Sequence, residues 1–217
     1  MYSQIQLCPL CDSSDSEIIH EDKNRSFKRC NNCKLIFVLD EQLLNSEEEK
    51  AQYDLHINDP SDPGYRRFLS RALNPVIGRI KAPALGLDVG SGPGPTLNLM
   101  AEEAGYEMAI YDPYYAPDDS VFEKQYDFIT LTEVIEHVTK PCPLIEKLLR
   151  CLKAQGILLI MTKRWYAEQQ FPSWHYKNDP THIRFYHEQT FDFIANNYNL
   201  ELEVIGPDVI IFKKLDP

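Results

Sequence analysis

No run in the chain reaches the ~18 consecutive apolar residues that would span a bilayer, and Met1 to Leu10 lacks the basic start and apolar core of a signal peptide. A cytoplasmic protein without a membrane segment is the expectation. Positive charge is in deficit: 22 Lys and Arg against 33 Asp and Glu leave a formal net charge of −11. Such a surface repels phosphate backbones, which makes nucleic acid an unlikely partner unless a local basic patch overrides the average. The six cysteines lack the spread of a disulfide framework, since four of them fall in two C-x-x-C pairs near the N-terminus. With 217 residues the chain has room for one α/β domain of ~150 residues and a small appendage.

The appendage is the cysteine region. Cys8-Pro9-Leu10-Cys11 is followed, after eighteen residues, by Cys30-Asn31-Asn32-Cys33. Four thiolates so spaced can surround one zinc ion tetrahedrally and leave no open position for a substrate water, so the expected role is structural. A unit of ~35 residues has too little core to fold without that metal. Lys23, Arg25, Lys28, Arg29 and Lys34 interleave with it and suit RNA contact, but Asp12, Asp15, Glu17, Glu21 and Asp22 share the same stretch. A scaffolding or substrate-capping ribbon, docking a protein partner or pressing on the pocket, an RNA-binding ribbon, and a redox or iron site all remain open here. From residue 40 to 63 the composition turns acidic, with Pro60 and Pro63 as breakers, which reads as a linker or arm. Tyr53, His56 and Asn58 would suit a lid over a cofactor, and a plain solvated connector is the alternative.

Leu85-Gly86-Leu87-Asp88-Val89 reads as a buried parallel strand running into Gly90-Ser91-Gly92-Pro93-Gly94. The spacing is G-x-G-x-G, and Pro95 stands where a dinucleotide fingerprint would place its third glycine, which argues against NAD and towards S-adenosylmethionine. Before the strand, Tyr65, Phe68, Leu69, Ala72, Leu73, Val76, Ile77 and Ile80 recur at helical spacing as one apolar stripe, with Pro75 a kink. After the loop, Pro95 suits the first turn of a helix that Gly105 ends, and Tyr106–Tyr111 is a second strand closing on Asp112. An acid there is placed to accept hydrogen bonds from both ribose hydroxyls of an adenosine cofactor. The proline-rich stretch 113–125 is too irregular for a full helix.

Tyr126–Thr132 is a third buried strand, and Glu133-Val134-Ile135-Glu136-His137 follows at once. If those residues start a helix, Glu133, Glu136 and His137 share one face at the carboxyl edge of the sheet. A helix after Pro141 should end near Gly156 and lead to a strand over 157–161. Residues 164–187 break the alternation: Trp165, Tyr166, Phe171, Trp174, Tyr176, Phe185 and Tyr186 are packed together with His175, Asp179, His182 and His187. Amphipathic rings after a strand's carboxyl end suit the wall of an acceptor pocket, and they would equally suit a simple cover for the sheet. A short helix around 191–198 and a hairpin turning at Gly206-Pro207-Asp208 complete the chain.

Taken together, Asp88 to Gly94, Asp112, the strand with Glu-Val-Ile-Glu-His, and Leu152-Lys153-Ala154-Gln155-Gly156 resemble the class I S-adenosylmethionine-dependent methyltransferases over residues 65–214. Trp174-His175-Tyr176 and Asp179-Pro180-Thr181-His182 resemble a bacterial branch carrying an N-terminal zinc-ribbon-like unit. The resemblance implies a Rossmann-like α/β fold, a seven-stranded sheet with its last strand antiparallel, plus the small metal unit. The division is then 1–40 metal-binding unit, 41–63 linker or lid, and 64–217 methyltransferase domain. It further implies that Gly90, Gly92 and Gly94 turn around the methionine part, that Asp88 holds this turn or the cofactor's ammonium, that Asp112 binds the ribose, and that Thr132 and Glu133 border the sulfonium. The acceptor would be a small molecule methylated on O, N or C. Alternatives are an RNA-modifying enzyme, and a non-catalytic cofactor-binding module that docks a protein partner.

Methyl transfer itself needs alignment and exclusion of water. For an oxygen acceptor with a high pKa, His182 and then His175 are the candidate bases, with Asp179 beside them; either imidazole could instead be a buried structural group hydrogen-bonded to Asp179. Glu133, Glu136, His137 and His182 resemble the magnesium site of small-RNA 2′-O-methyltransferases, and similar ligands occur in quinone O-methyltransferases. The match departs where those RNA enzymes have a second histidine and this chain has Val138. In other class I enzymes the same motif packs below the cofactor without a metal.

Overall fold

The computed structural model describes residues 6–55 and 58–216; His56 lies outside them. Six strands form the large sheet: β4 (Leu85–Val89), β5 (Glu107–Tyr111), β6 (Tyr126–Thr132), β7 (Leu152–Met161), β9 (Leu200–Ile205) and β10 (Val209–Lys214), in the order β5-β4-β6-β7-β10-β9. β4, β5, β6 and β7 pair in parallel, whereas β10 is antiparallel to both neighbours. Among the described residues the expected seventh strand is missing from the β5 edge. After β5 the chain makes a tight turn bridged between Asp112 and Ala116, then a short 3-10 turn over Asp119–Glu123, and returns directly to β6. Pro113 and Pro117 leave no room there for a helix and strand.

Alternation along the strands sends side chains to two cores. α2 (Pro63–Ile77) and α3 (Leu97–Glu103) cover one face, with Leu69, Ala72, Leu73 and Val76 against Phe128, Leu159, Met161 and Ile211. α4 (Pro141–Cys151) and α5 (Glu188–Tyr198) cover the other, with Ile145, Leu148, Phe191 and Ile194 against Leu131, Leu158, Ile160 and Phe212. α3 begins later than expected, with Thr96 as its N-cap, so Pro95 lies outside the helix. β7 likewise starts at Leu152 and runs through Gly156.

The cysteine region makes a second sheet from β1 (Ser16–Glu21), β2 (Ser26–Cys30) and β3 (Ile36–Val38). Its fourth strand, β8 (Arg184–Phe185), comes from the aromatic segment of the larger domain, and pairs Ile36 with Phe185 and Phe37 with Arg184. Phe27, Ile36 and Val38 share a core with Phe171, Tyr176, Ile183 and Phe185. The two units are therefore fused along a sheet edge, not merely tethered. Between them, residues 41–63 contain α1 (Ser46–Tyr53), started by an Asn45–Glu48 capping box. No helix among the described residues is long and apolar enough to cross a membrane.

Candidate functional site

The strand order reverses at β4, whose successor in sequence lies on one side and β6 on the other. Open α/β sheets bind ligands in the crevice outside such a switch point. A cavity of about 550 Å³ occupies it here, within the range of ligand sites. Its floor is Asp88, Gly90, Ser91 and Gly92 from the β4 loop and Thr132, Glu133 and Val134 from the β6 loop. α2 contributes Tyr65, Phe68 and Leu69, and the turn after β5 contributes Asp112, Tyr114 and Tyr115. Across from these stand Glu49, Tyr53, His137, Asp179 and His182.

Gly90 has φ +80°, and a Cβ there would overlap the Val134 side chain, so the loop needs glycine for its backbone and for the approach of the β6 loop. Gly94 is different. It does not line the cavity, and a Cβ on it would overlap the carbonyl of Asn58, which crosses over the loop. Asp88 is 5% exposed and accepts a hydrogen bond from the Thr130 hydroxyl at 2.7 Å. Burial pushes its carboxyl up to about 6, the Asp112 charge adds to this, and the Thr130 bond opposes it. Asp112 accepts from the Gly92 N–H at 2.9 Å through one oxygen and from Tyr114 and Tyr115 N–H at 2.9 and 3.1 Å through the other. It fastens the glycine loop to the turn that carries both tyrosines.

Glu133 does not begin a helix. It sits at φ +54°, its N–H donates to Met161 O at 2.8 Å, and only a 3-10 turn over Ile135–His137 follows. Tyr176, one of the rings of the aromatic segment and not among the candidate catalytic residues, joins the two carboxylates: its hydroxyl contacts Glu133 Oε2 at 3.0 Å and Glu136 Oε1 more closely. One phenol proton serves only one acceptor. Burial, together with the Glu136 charge, pushes Glu133 up to about 8. The Tyr176 hydroxyl thus sits between the two carboxylates and donates to one of them. Glu136 is fully buried, and burial raises it too, opposed first by His182. Its Oε2 has no hydrogen-bond partner; the Thr162 hydroxyl, which favours its ionised form, is bonded instead to Tyr176 at 3.3 Å.

Each histidine of the cluster is oriented by a backbone carbonyl, His137 Nδ1 by Thr181 O at 3.0 Å and His182 Nδ1 by Tyr176 O at 2.7 Å. A carbonyl only accepts, so each Nδ1 is the donor there and Nε2 is the ring nitrogen turned away from that bond. Ligand atoms of Glu136, His137 and His182 all lie within 4.8 Å of one another. Glu133 is not in that set. Burial lowers the His182 pKa, opposed by Glu136, while Asp179 Oδ2 stands 3.8 Å from its Nε2. His175 is not brought to the site: it is exposed, with Lys163 Nζ 3.3 Å from its Nε2.

α1 buries none of its residues and is held over the cavity mouth by hydrogen bonds. Tyr53 and Tyr114 hydroxyls donate to Glu49 at 2.8 and 2.6 Å, and Tyr115 donates to Asp54 at 2.6 Å. Tyr114 and Tyr115, following Asp112-Pro113, were the available signal for this wall, obscured by the prolines around them.

The four cysteines form the second candidate centre. Cys8 Sγ lies 3.5 Å from Cys33 Sγ, and Cys11 Sγ 3.5 Å from Cys30 Sγ, with all four within 4.8 Å. A tetrahedron of Zn–S bonds of ~2.3 Å has S···S edges of about 3.8 Å, so the donor set fits zinc. Each pair sits on the same kind of knuckle. Asp12 N donates to Cys8 O at 3.0 Å and Lys34 N to Cys30 O at 3.1 Å, and both of these following residues have positive φ, 53° and 62°. The hydrogen bond from Cys33 holds the Cys8 thiol down at about 6, against the effect of burial.

Residues 62–204, from the start of α2 to the end of β9, match the family model described as a methyltransferase domain. The chain belongs to that family. Among solved structures its fold is similar to three methyltransferases. One is a SAM-dependent enzyme from Archaeoglobus fulgidus, 18% identical over 69% of this chain and 94% of that one, TM-score 0.51. The second is 1,6-didemethyltoxoflavin-N1-methyltransferase of Burkholderia thailandensis, solved with 1,6-didemethyltoxoflavin and S-adenosylhomocysteine, 13% identical over 93% and 100%, TM-score 0.55. The third is magnesium protoporphyrin IX methyltransferase of Synechocystis PCC 6803 with bound SAH, 12% identical over 77% and 94%, TM-score 0.54. At these identities the likeness is one of fold, that of the class I S-adenosylmethionine-dependent methyltransferases. No curated protein sequence matches the chain.

Proposed function

We propose that the switch-point cavity binds S-adenosylmethionine and passes its methyl group to a small-molecule acceptor on oxygen, nitrogen or carbon. The observation that carries this reading is the composition of the two cavity walls. On one side Gly90, Gly92, Asp88 and Asp112 offer a close backbone approach and two carboxylates. On the other, His137, His182 and Asp179 face aromatic rings. The methionine part lies along the Gly90–Gly92 turn with its ammonium at Asp88, and ribose hydroxyls donate to the remaining lone pairs of Asp112. Ser91 Oγ, Thr132 Oγ1 and Glu133 Oε1 are buried without partners among the described residues and are donors and acceptors for the same ligand. The sulfonium rests near Thr132 and Glu133, where its charge favours the ionised carboxylate. Residues 41–63 act as the lid, through Glu49, Tyr53 and Asn58, and exclude water from the transfer. The largest share of the acceleration is alignment. For a hydroxyl acceptor, His182 Nε2 takes the proton. Both titrated calorimetrically, S-adenosylhomocysteine should bind the wild type and bind Gly90→Ala at least ~30-fold more weakly, since a Cβ there costs ~2 kcal/mol or more in backbone strain and in displacing Val134. Equal affinity for both proteins would sink the reading.

Glu136, His137 and His182 also support a second cofactor, a divalent cation bound by one carboxylate and two imidazoles. Carbonyl-oriented imidazoles are the usual outer arrangement of metal-bound histidines, and Glu136 Oε2, buried and without a hydrogen-bond partner among the described residues, is an oxygen ligand left for such an ion. When bound, the ion would lower the pKa of an acceptor hydroxyl. The zinc-loaded protein should take up one manganese per chain by paramagnetic resonance, and Glu136→Gln should take up none. No manganese uptake by the wild type leaves His182 as a metal-free base.

The RNA-directed alternative needs a continuous basic face. Arg25 is buried, Arg29 is paired with Glu17 and Glu168, and Arg66 with Glu103, which favours the small-molecule reading. The four cysteines hold a structural zinc ion in this proposal.

A further inference from the structure

Arg25 precedes β2 in the cysteine unit, yet its guanidinium serves a loop more than 150 residues further along the chain. Nη1 donates to the carbonyls of Asp179 at 2.9 Å and His182 at 3.1 Å, and Nη2 to that of Lys177. The side chain is only 9% exposed and packs over the Phe27 ring. These carbonyls bracket the turn that carries Asp179 and His182 into the cavity. Within the turn, Thr181 bonds the Asp179 side chain and His182 N–H reaches Asp179 O at 3.3 Å; Arg25 adds donors to the carbonyls from the other side, and buried carbonyls need donors. One rigid, five-donor fork meets three of them at once, which the single ammonium of lysine matches poorly.

The contact is reciprocated. Arg184, fully buried, donates from β8 to Val38 O at 3.2 Å at the end of β3, and to Thr139 O at 2.9 Å just beyond His137. Val38 N–H in turn donates to Ile183 O at 3.0 Å. The acceptor side of the cavity is thus built on the cysteine unit. The cofactor side stands on β4, β5 and β6, whose α2–α3 face contains no residue of that unit; on the opposite face Cys8, Leu10, Leu35 and Phe37 share a core with Leu87, Val89 and Leu131, so the cysteine unit reaches the cofactor side through apolar packing, whereas it holds the acceptor turn by hydrogen bonds.

We infer that Arg25 is a positioning residue, and that metal loading of the four cysteines governs the acceptor side of the site while leaving cofactor affinity unchanged. β2 runs from the Arg25 turn to Cys30, so its register against β1 and β3 is fixed at one end by the metal and at the other delivers the guanidinium. The inference rests on the reading of the cavity as a two-substrate site.

The test uses the full zinc-loaded chain, with hydrogen exchange followed by mass spectrometry and S-adenosylhomocysteine affinity by calorimetry. In Arg25→Ala, exchange over residues 177–183 should accelerate about tenfold or more, with one zinc retained and the dissociation constant within about twofold of wild type. Arg25→Lys should fall between, and guanidinium ion should restore protection to Arg25→Ala. Stripping zinc from the wild type with a chelator should expose 177–185 together with β1–β3, again without loss of cofactor affinity. Unchanged exchange at 177–183 in Arg25→Ala overturns the inference. So does a loss of protection that spreads equally through β4–β6 and weakens cofactor binding, since that is global destabilisation. A wild type that binds no S-adenosylhomocysteine refutes the cofactor reading instead, and the exchange result still decides the role of Arg25.

Discussion

Cys33→Ser is expected to abolish zinc binding and melt the cysteine unit while the six-stranded sheet persists. Cys33 is 1% exposed, with its sulfur 3.5 Å from that of Cys8, and a serine hydroxyl is both a poor zinc ligand and a buried polar group in place of a thiolate. Structural zinc contributes ~10–16 kcal/mol in small domains of this kind, comparable to the whole stability of an ordinary protein, ~5–15 kcal/mol. The apolar packing of Phe27, Ile36 and Val38 against Phe171, Tyr176 and Phe185 opposes that loss, and the prediction is that a loss of this size exceeds it. Metal analysis should give one zinc per wild-type chain and none per variant, and hydrogen exchange should show β1–β3 unprotected. Cys142→Ser is the control, because that thiol lies outside the cluster and donates to Leu10 O at 2.9 Å; it should keep its zinc. A Cys33→Ser protein with protected β1–β3 would mean that packing, not metal, holds the unit.

Local chemistry made the cofactor half of the site legible. The strand Leu85–Val89, the turn at Gly90–Gly92 and the closing hairpin are written in neighbouring residues, and the chain forms that strand, that turn and that hairpin, with Asp112 bonded to Gly92 beside them. The acceptor half depends on pairings between distant segments, which periodicity does not encode. β8 is two residues long, and its partner lies in the cysteine unit, so no run of alternation announces it. Glu-Val-Ile-Glu-His has the spacing of a helix face, but Glu133 enters the left-handed region to keep its ladder bond to Met161, and the helix never forms. Gly94 looks like the third member of a ligand-binding loop, yet what it accommodates is the backbone of Asn58. Tyr176 passes for one ring among many until the fold places its hydroxyl between two carboxylates. His175, one residue before it in the same short 3-10 turn, faces solvent.

Asp88→Asn should act in opposite directions on the empty protein and on cofactor binding. The Asp88 carboxyl is raised from 3.8 to about 6 in the folded state, so the folded protein holds that proton more tightly than the unfolded chain. Its contribution to stability is therefore complete below pH ~4 and is lost as pH rises through about 6; a rise of that size corresponds to roughly 3 kcal/mol at most. Asparagine is neutral at every pH and keeps an oxygen for the Thr130 hydroxyl. The variant without cofactor should thus be more stable than wild type at pH 7, by up to about 3 kcal/mol in urea denaturation, and the advantage should vanish near pH 4. In the proposed pose, with the ammonium at Asp88, cofactor binding calls for the ionised form, because the ammonium's attraction offsets part of what burial costs the carboxylate. Wild-type affinity should climb with pH and level off above about 6 to 7, whereas Asp88→Asn should be flat with pH and weaker at pH 7.5 by roughly 30-fold or more, the cost of about 2 kcal/mol for removing one partner of a buried charge pair. S-adenosylmethionine and S-adenosylhomocysteine share the ammonium but not the sulfonium. An identical pH dependence for both assigns the effect to Asp88 and the ammonium, whereas a dependence confined to S-adenosylmethionine moves it to Glu133. A destabilised Asp88→Asn with unchanged affinity would reduce Asp88 to a brace for the glycine turn.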